Sequence, residues 1–175
     1  TEVSMGCISL QSMQQKRLTP TSDLYAAKVK LQAIAQLHGY GGTVGVIINK
    51  SPWTLQELQI HDGCGQMVAA PPKKIRPGEY APFYQITTYK TFSGPNGSIT
   101  FKVLHDKPGG NTQIELYWQM YAEDGDNGSG GDLFGNTNIG VTITAESFAF
   151  SGDSWSVDID ADDEPVITKY VWLIQ

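Results

Sequence analysis

The chain has 175 residues, of which 40% are hydrophobic and 17% charged, with a formal net charge of −6. That length buries a sizeable core without a structural metal or several disulfides. An acidic chain with no basic stripe lacks the cations that displace counterions from nucleic acid, and no apolar run reaches the roughly 18 residues of a spanning helix.

Residues 1–21 read as an N-terminal leader. The chain opens at Thr1 without a methionine, which suits removal of a signal peptide, and with it secretion, but equally removal of an appended tag. Asn-x-Ser triplets at Asn49, Asn96 and Asn127 permit glycosylation on that route. Cys7 and Cys64 are far apart, in no CxxC pair and beside no histidine ligand set, so they do not read as a zinc site; one disulfide or two free thiols are both open.

Residues 22–38, "SDLYAAKVKLQAIAQLH", form an amphipathic helix by pattern: Ser22 suits the N-cap, Leu24, Ala27, Leu31, Ile34, Ala35 and Leu37 recur at helical spacing, and Gly39 ends it. Its narrow apolar stripe and its Lys28 and Lys30 allow it to lie on a domain or on a membrane surface. From Thr43 the period changes to two, and residues 43–175 read as an antiparallel β-sandwich of about eight to nine strands, giving a single mainly β domain. "SITFKVLH" turns Ile99, Phe101 and Val103 to one face. "TQIELYWQM" does the same with Ile114, Leu116, Trp118 and Met120, and "SWSVDID" with Trp155, Val157 and Ile159. "VITKYVWLI" is apolar on both faces, as a central strand is. "AAPPKKIRPGEY" reads as a connection crossing between sheets, "GPNGS" at 94–98 as an Asn-Gly hairpin and "KPGGN" at 107–111 as the next reversal.

Charge is divided unevenly. Residues 1–110 hold 11 Lys/Arg against 6 Asp/Glu, whereas residues 111–175 hold only Lys169 against 12 acids. Within the acidic part, Asp124, Asp126 and Asp132 are weak candidates for calcium: the stretch lacks the glycine and glutamate positions of an EF-hand loop, and "GSGGDLF" is a single unit of a motif that needs stacked copies. The run "DIDADDE" at 158–164 crowds five acids that calcium, water or salt would relieve equally. No cofactor is otherwise indicated. His38, His61 and His105 are scattered, and no nucleophile-elbow, zinc-protease or phosphate-loop signature occurs, so an enzyme is not expected. Rings outside the core pattern, Trp53, Tyr117, Tyr121 and Phe134, suit a lipid headgroup boundary or the face of a sugar.

The stretch "QAIAQLHGYGGTVGVIINKSPWTL", an amphipathic helix running into a V-G-V strand, a Lys/Ser turn and "WTL", resembles the start of the sandwich in actinoporins, pore-forming cytolysins of sea anemones. "PPKKIRPGEYAPF", "GPNGSITFKVLHD" and "TQIELYWQMY" continue the resemblance. "INKSPWTL", "GSITFKV", "ELYW" and "GNTNIGVTI" are also similar to aegerolysins, small sandwich proteins that recognise membrane lipids and often act with a separate pore-forming partner. The resemblance implies a secreted protein that binds membrane lipids and oligomerises into pores, with 22–38 as the membrane segment, Trp53, Tyr117, Tyr121 and Phe134 at the interface, and Lys28 and Lys30 as the first attraction. Where actinoporins carry a choline-holding tyrosine and tryptophan cluster, this chain reads "AEDGDNGSGGDLFGNTN". That composition supports a second expectation, a non-lytic lectin-like module binding a cell-surface glycan, with or without calcium, through a 123–136 loop bearing Asp124, Asp126, Asn127, Asp132 and Asn136, together with Tyr121.

Overall fold

The computed structural model describes residues 16–17, 42–63, 65–86, 93–121, 128–150 and 167–175. The expected helix at 22–38, the strand expected at 154–160 and both cysteines lie outside them. The described residues form eleven strands, against the eight or nine expected. They are β1 (Lys16–Arg17), β2 (Gly42–Asn49), β3 (Thr54–Asp62), β4 (Gln66–Ala70), β5 (Lys74–Ile75), β6 (Tyr80–Ile86), β7 (Ser93–Leu104), β8 (Thr112–Tyr121), β9 (Gly128–Gly135), β10 (Ile143–Phe150) and β11 (Ile167–Ile174). Two of the extra strands, β1 and β5, are two residues long, and β1 falls within residues 1–21, expected as a leader.

The strands make two sheets, one ordered β1-β4-β6-β2-β11-β10 and one ordered β5-β3-β7-β8-β9. All neighbours are antiparallel except β1 with β4 and β11 with β2. The expected crossing at 69–80 is present: the chain leaves the six-stranded sheet after β4, contributes β5 to the other sheet and returns as β6. Prolines in this stretch suit short edge pairing, since they cannot donate to a ladder. β11 is an interior strand between β2 and β10, in keeping with its doubly apolar sequence.

The inner faces meet over Ile99, Phe101 and Val103 of β7, Ile114, Leu116 and Trp118 of β8, and Phe83, Tyr170, Trp172 and Ile174 of the opposing sheet, all buried. Phe83 packs between Trp118 and Trp172, at ring-centre distances of 5.0 and 5.7 Å. A Cβ at Gly45, directly opposite Phe83 on β2, would collide with that ring, so only glycine leaves room for it.

Burying two indoles and a phenol requires partners for their donors. Trp118 Nε1 donates to Gln85 Oε1 at 2.6 Å, and Gln85 Nε2 donates to the Asn96 carbonyl at 2.7 Å. Tyr170 Oη donates to the Gln119 carbonyl at 2.6 Å, and Trp172 Nε1 to the Gly130 carbonyl at 2.9 Å. Each bond runs from one sheet to the other and fixes β7, β8 and β9 in place. Burial pushes the Tyr170 phenol far above its ordinary pKa and raises that of Tyr84, so both remain donors.

The hairpin expected at "GPNGS" is instead continuous with β7, with a register shift between Ser93 and Asn96. Gly97 serves packing here and not a turn: a Cβ would meet the His61 carbonyl at 2.5 Å and the Trp118 indole at 2.8 Å. The reversal at 107–111 is present, with Gly109 and Gly110 at φ of 109° and 100°, a region that disfavours side chains.

Candidate functional site

Strand pairing arranges the outer face of the five-stranded sheet in rows. His61, Ser98, Tyr117 and Gly130 form one row across β3, β7, β8 and β9. Gln59, Thr100, Glu115 and Asp132 form the next, and Gln56, Lys102, Gln113 and Phe134 the third. Lys74 of β5 stands opposite Gln56, and Leu104 follows Lys102 on the same face. Beyond the third row lie the turn at 50–53, the hairpin at 105–111 and the segment after β9.

Two kinds of surface share this face. Toward the turn at 50–53, Leu104 is 38% and Phe134 48% exposed, with Lys102 and Gln113 between them. Exposed Lys74 and Lys107 add positive charge at the same end. Toward the other end, Tyr117 is 42% exposed and lies across Gly130, where an added Cβ would collide with the phenol. In the row between, Glu115 and Asp132 are directly opposed, and no cation pairs with either among the described residues. Arg76 and Glu79, before β6, form a salt bridge at 3.9 Å.

Hydrogen bonds set the end of the sandwich. Buried Asn49 donates to the carbonyls of Trp53 at 2.8 Å and Ile75 at 3.0 Å, and accepts from the Ser51 amide and hydroxyl. Trp53 is thereby held half-buried at the start of β3, edge-on to His105 with ring centres 6.0 Å apart. The Lys107 amide donates to His105 Nδ1 at 3.1 Å, which leaves Nε2 as the donor to Thr112 Oγ1 at 2.8 Å. Thr112 Oγ1 in turn donates to the Asn136 carbonyl at 2.6 Å. The Asn136 amide is committed to the Pro108 carbonyl at 2.9 Å and its Oδ1 to the Asn138 amide at 3.1 Å. At the opposite end of β3, the Asp62 carboxyl is raised above its ordinary pKa by desolvation, offset in part by the Met67 amide at 3.2 Å and by adjacent His61.

The structure brings together Tyr117, Asp132 and Phe134, all on the outer face of β8 and β9. Trp53 stands at one end of the sheet, and Tyr121 closes β8 at the other. Lys28, Lys30, Asp124, Asp126 and Asn127 lie outside the described residues. The expected 123–136 loop requires correction: Gly128–Gly135 is a strand paired with β8 along its length, so Asp132 belongs to a sheet face and Asn136 to the end opposite residues 122–127. The glycines that suggest a loop instead permit close packing, since a Cβ at Gly131 would meet Ile143 Cγ2 at 2.6 Å and Leu116 Cδ2 at 3.0 Å. Among the described residues no cluster of three or more His, Cys, Asp or Glu could hold a metal.

Sequence reading passed over Leu104 and Lys102. The signal for Leu104 was available, because it falls on the outward parity of Ser98, Thr100 and Lys102.

No family model matches the chain, and no curated protein matches it. Among solved structures, it is similar to the lipid binding protein Nakanori, at 12% identity over 85% of this chain and 79% of that one, with a TM-score of 0.52. It also aligns with RahU protein in complex with a TRIS molecule, at 11% identity over 77% of this chain and 93% of that one, with a TM-score of 0.41. The first likeness shows a shared fold.

Proposed function

We propose that the protein binds membrane lipids through the end of the five-stranded sheet that carries Leu104 and Phe134. The observation that carries this reading is the placement of two of the exposed large apolar side chains, Leu104 and Phe134, at one end of the sheet, with Lys102 between them and Lys74 and Lys107 nearby. Leu104 and Phe134 would gain by partitioning into the headgroup and acyl boundary, while the ammonium groups would meet lipid phosphates. Half-buried Trp53 supplies a ring at the rim, the position that amphipathic aromatics favour at such boundaries. Likeness in fold to a protein described as lipid binding supports the reading.

The same proposal includes kinship with actinoporins and aegerolysins, secretion, and a non-enzymatic role. Permeabilisation, by a homo-oligomer using 22–38 or by a separate partner protein, is its further step. Sedimentation with vesicles of several headgroup types, run beside dye release, tests it. The protein should pellet with at least one composition; release with pelleting supports pore formation, and pelleting without release supports a recognition component. Failure to pellet with any composition overturns lipid binding.

A further inference from the structure

We infer that the outer face of β8 and β9 around Tyr117 binds the ring of a neutral hexopyranose, at a place distinct from the apolar end. Tyr117 is folded down over Gly130, a position that no other residue could occupy without displacing the phenol. The same glycine is pinned from the inner side by the Trp172 indole, so the platform beneath the ring is fixed. A half-exposed ring lying along a sheet offers a face to the C–H side of a sugar at little cost in conformational freedom.

The adjoining row supplies the polar half. Glu115 and Asp132 are cross-strand partners, and side chains so placed have Cβ atoms roughly 4.5–5.5 Å apart. Like charges on facing strand positions repel each other, and among the described residues no cation forms a salt bridge with either. A vicinal diol would relieve them, because each hydroxyl donates a charge-assisted bond to a carboxylate oxygen. Thr100 beside Glu115, and Gln119 two residues beyond Tyr117, add donors and acceptors around the same ring. Tyr117 lies about 13 Å along the sheet from Phe134, four residues of strand rise. The sugar could therefore be a soluble glycan or the headgroup of a glycolipid.

The test uses the full chain and neoglycoproteins bearing galactose, glucose, mannose or N-acetylglucosamine, with tetramethylammonium as a cationic competitor. Wild type should bind at least one conjugate. Glu115→Gln with Asp132→Asn should weaken that binding at least tenfold while leaving the thermal midpoint equal or higher, since the repulsion is removed. Tyr117→Phe should retain binding and Tyr117→Ala should lose it. The inference is overturned if no conjugate binds, if the double carboxylate variant binds as wild type does, or if tetramethylammonium at low millimolar concentration displaces the sugar. Vesicles with and without a neutral glycolipid separate the two sources: any gain in vesicle binding that the glycolipid gives should be lost in the carboxylate variant. Leu104→Ser with Phe134→Ser should leave conjugate binding intact, so a failure of the membrane reading remains distinguishable from a failure of this one.

Discussion

Tyr117 covers Gly130 from the outer face of the sheet while Trp172 takes the carbonyl of that glycine from within, so one backbone position joins the solvent-facing ring to the aromatic core. The arrangement couples the candidate site to the packing of the sandwich and makes its glycine a sensitive position.

Gly130→Ala should drive the Tyr117 ring off the sheet and lower stability by about 1–3 kcal/mol, the usual cost of an added group in a packed site. In a Tyr117→Ala background the same substitution should cost less. A double-mutant cycle by urea denaturation measures the difference, and additive effects would mean that the ring and the glycine are not coupled.

Gln85→Leu should cost about 1–3 kcal/mol, because it leaves the buried Trp118 indole N–H without its acceptor. The Asn96 carbonyl keeps the Gly63 amide at 3.1 Å, which limits the damage on that side. An unchanged denaturation midpoint would show that another acceptor replaces Gln85.

Leu104→Ser with Phe134→Ser should leave the thermal midpoint within a few degrees of wild type, since neither side chain belongs to the buried core. Vesicle binding should fall at least tenfold. Equal sedimentation of variant and wild type would place the membrane contact elsewhere.

Asp62→Asn tests the sign of a partly desolvated charge on a residue that is still exposed. Desolvation raises the folded carboxyl above its value of 3.8, so the native state holds the proton more tightly than the unfolded chain does. Stability should then fall as pH rises from the ordinary carboxylate value through the raised one. The variant lacks this loss and keeps a carbonyl for the Met67 amide. It should be more stable than wild type at pH 7 and equal to it at pH 3; lower stability at pH 7 would show that the amide bond to the charged group outweighs its desolvation.

Much of this was legible from residue order. Alternation of apolar and polar residues determined the inner faces of β7 and β8, because a two-residue period leaves only one way to bury Ile99, Phe101 and Val103 or Ile114, Leu116 and Trp118. The doubly apolar "VITKYVWLI" likewise marked β11 as interior, and the prolines at 71, 72 and 77 marked the passage between sheets. Tertiary structure alone decided what the glycines do. Gly97, Gly130 and Gly131 carry the composition of turns, yet each sits in a strand because an indole, a phenol or an isoleucine from a distant segment occupies the space where its Cβ would be. It also decided that Tyr117, Glu115, Asp132 and Phe134 share one face while Asn136 is spent on holding a hairpin. Period and composition report local backbone preference, whereas the role of a residue without a side chain is set by whatever the rest of the chain packs against it.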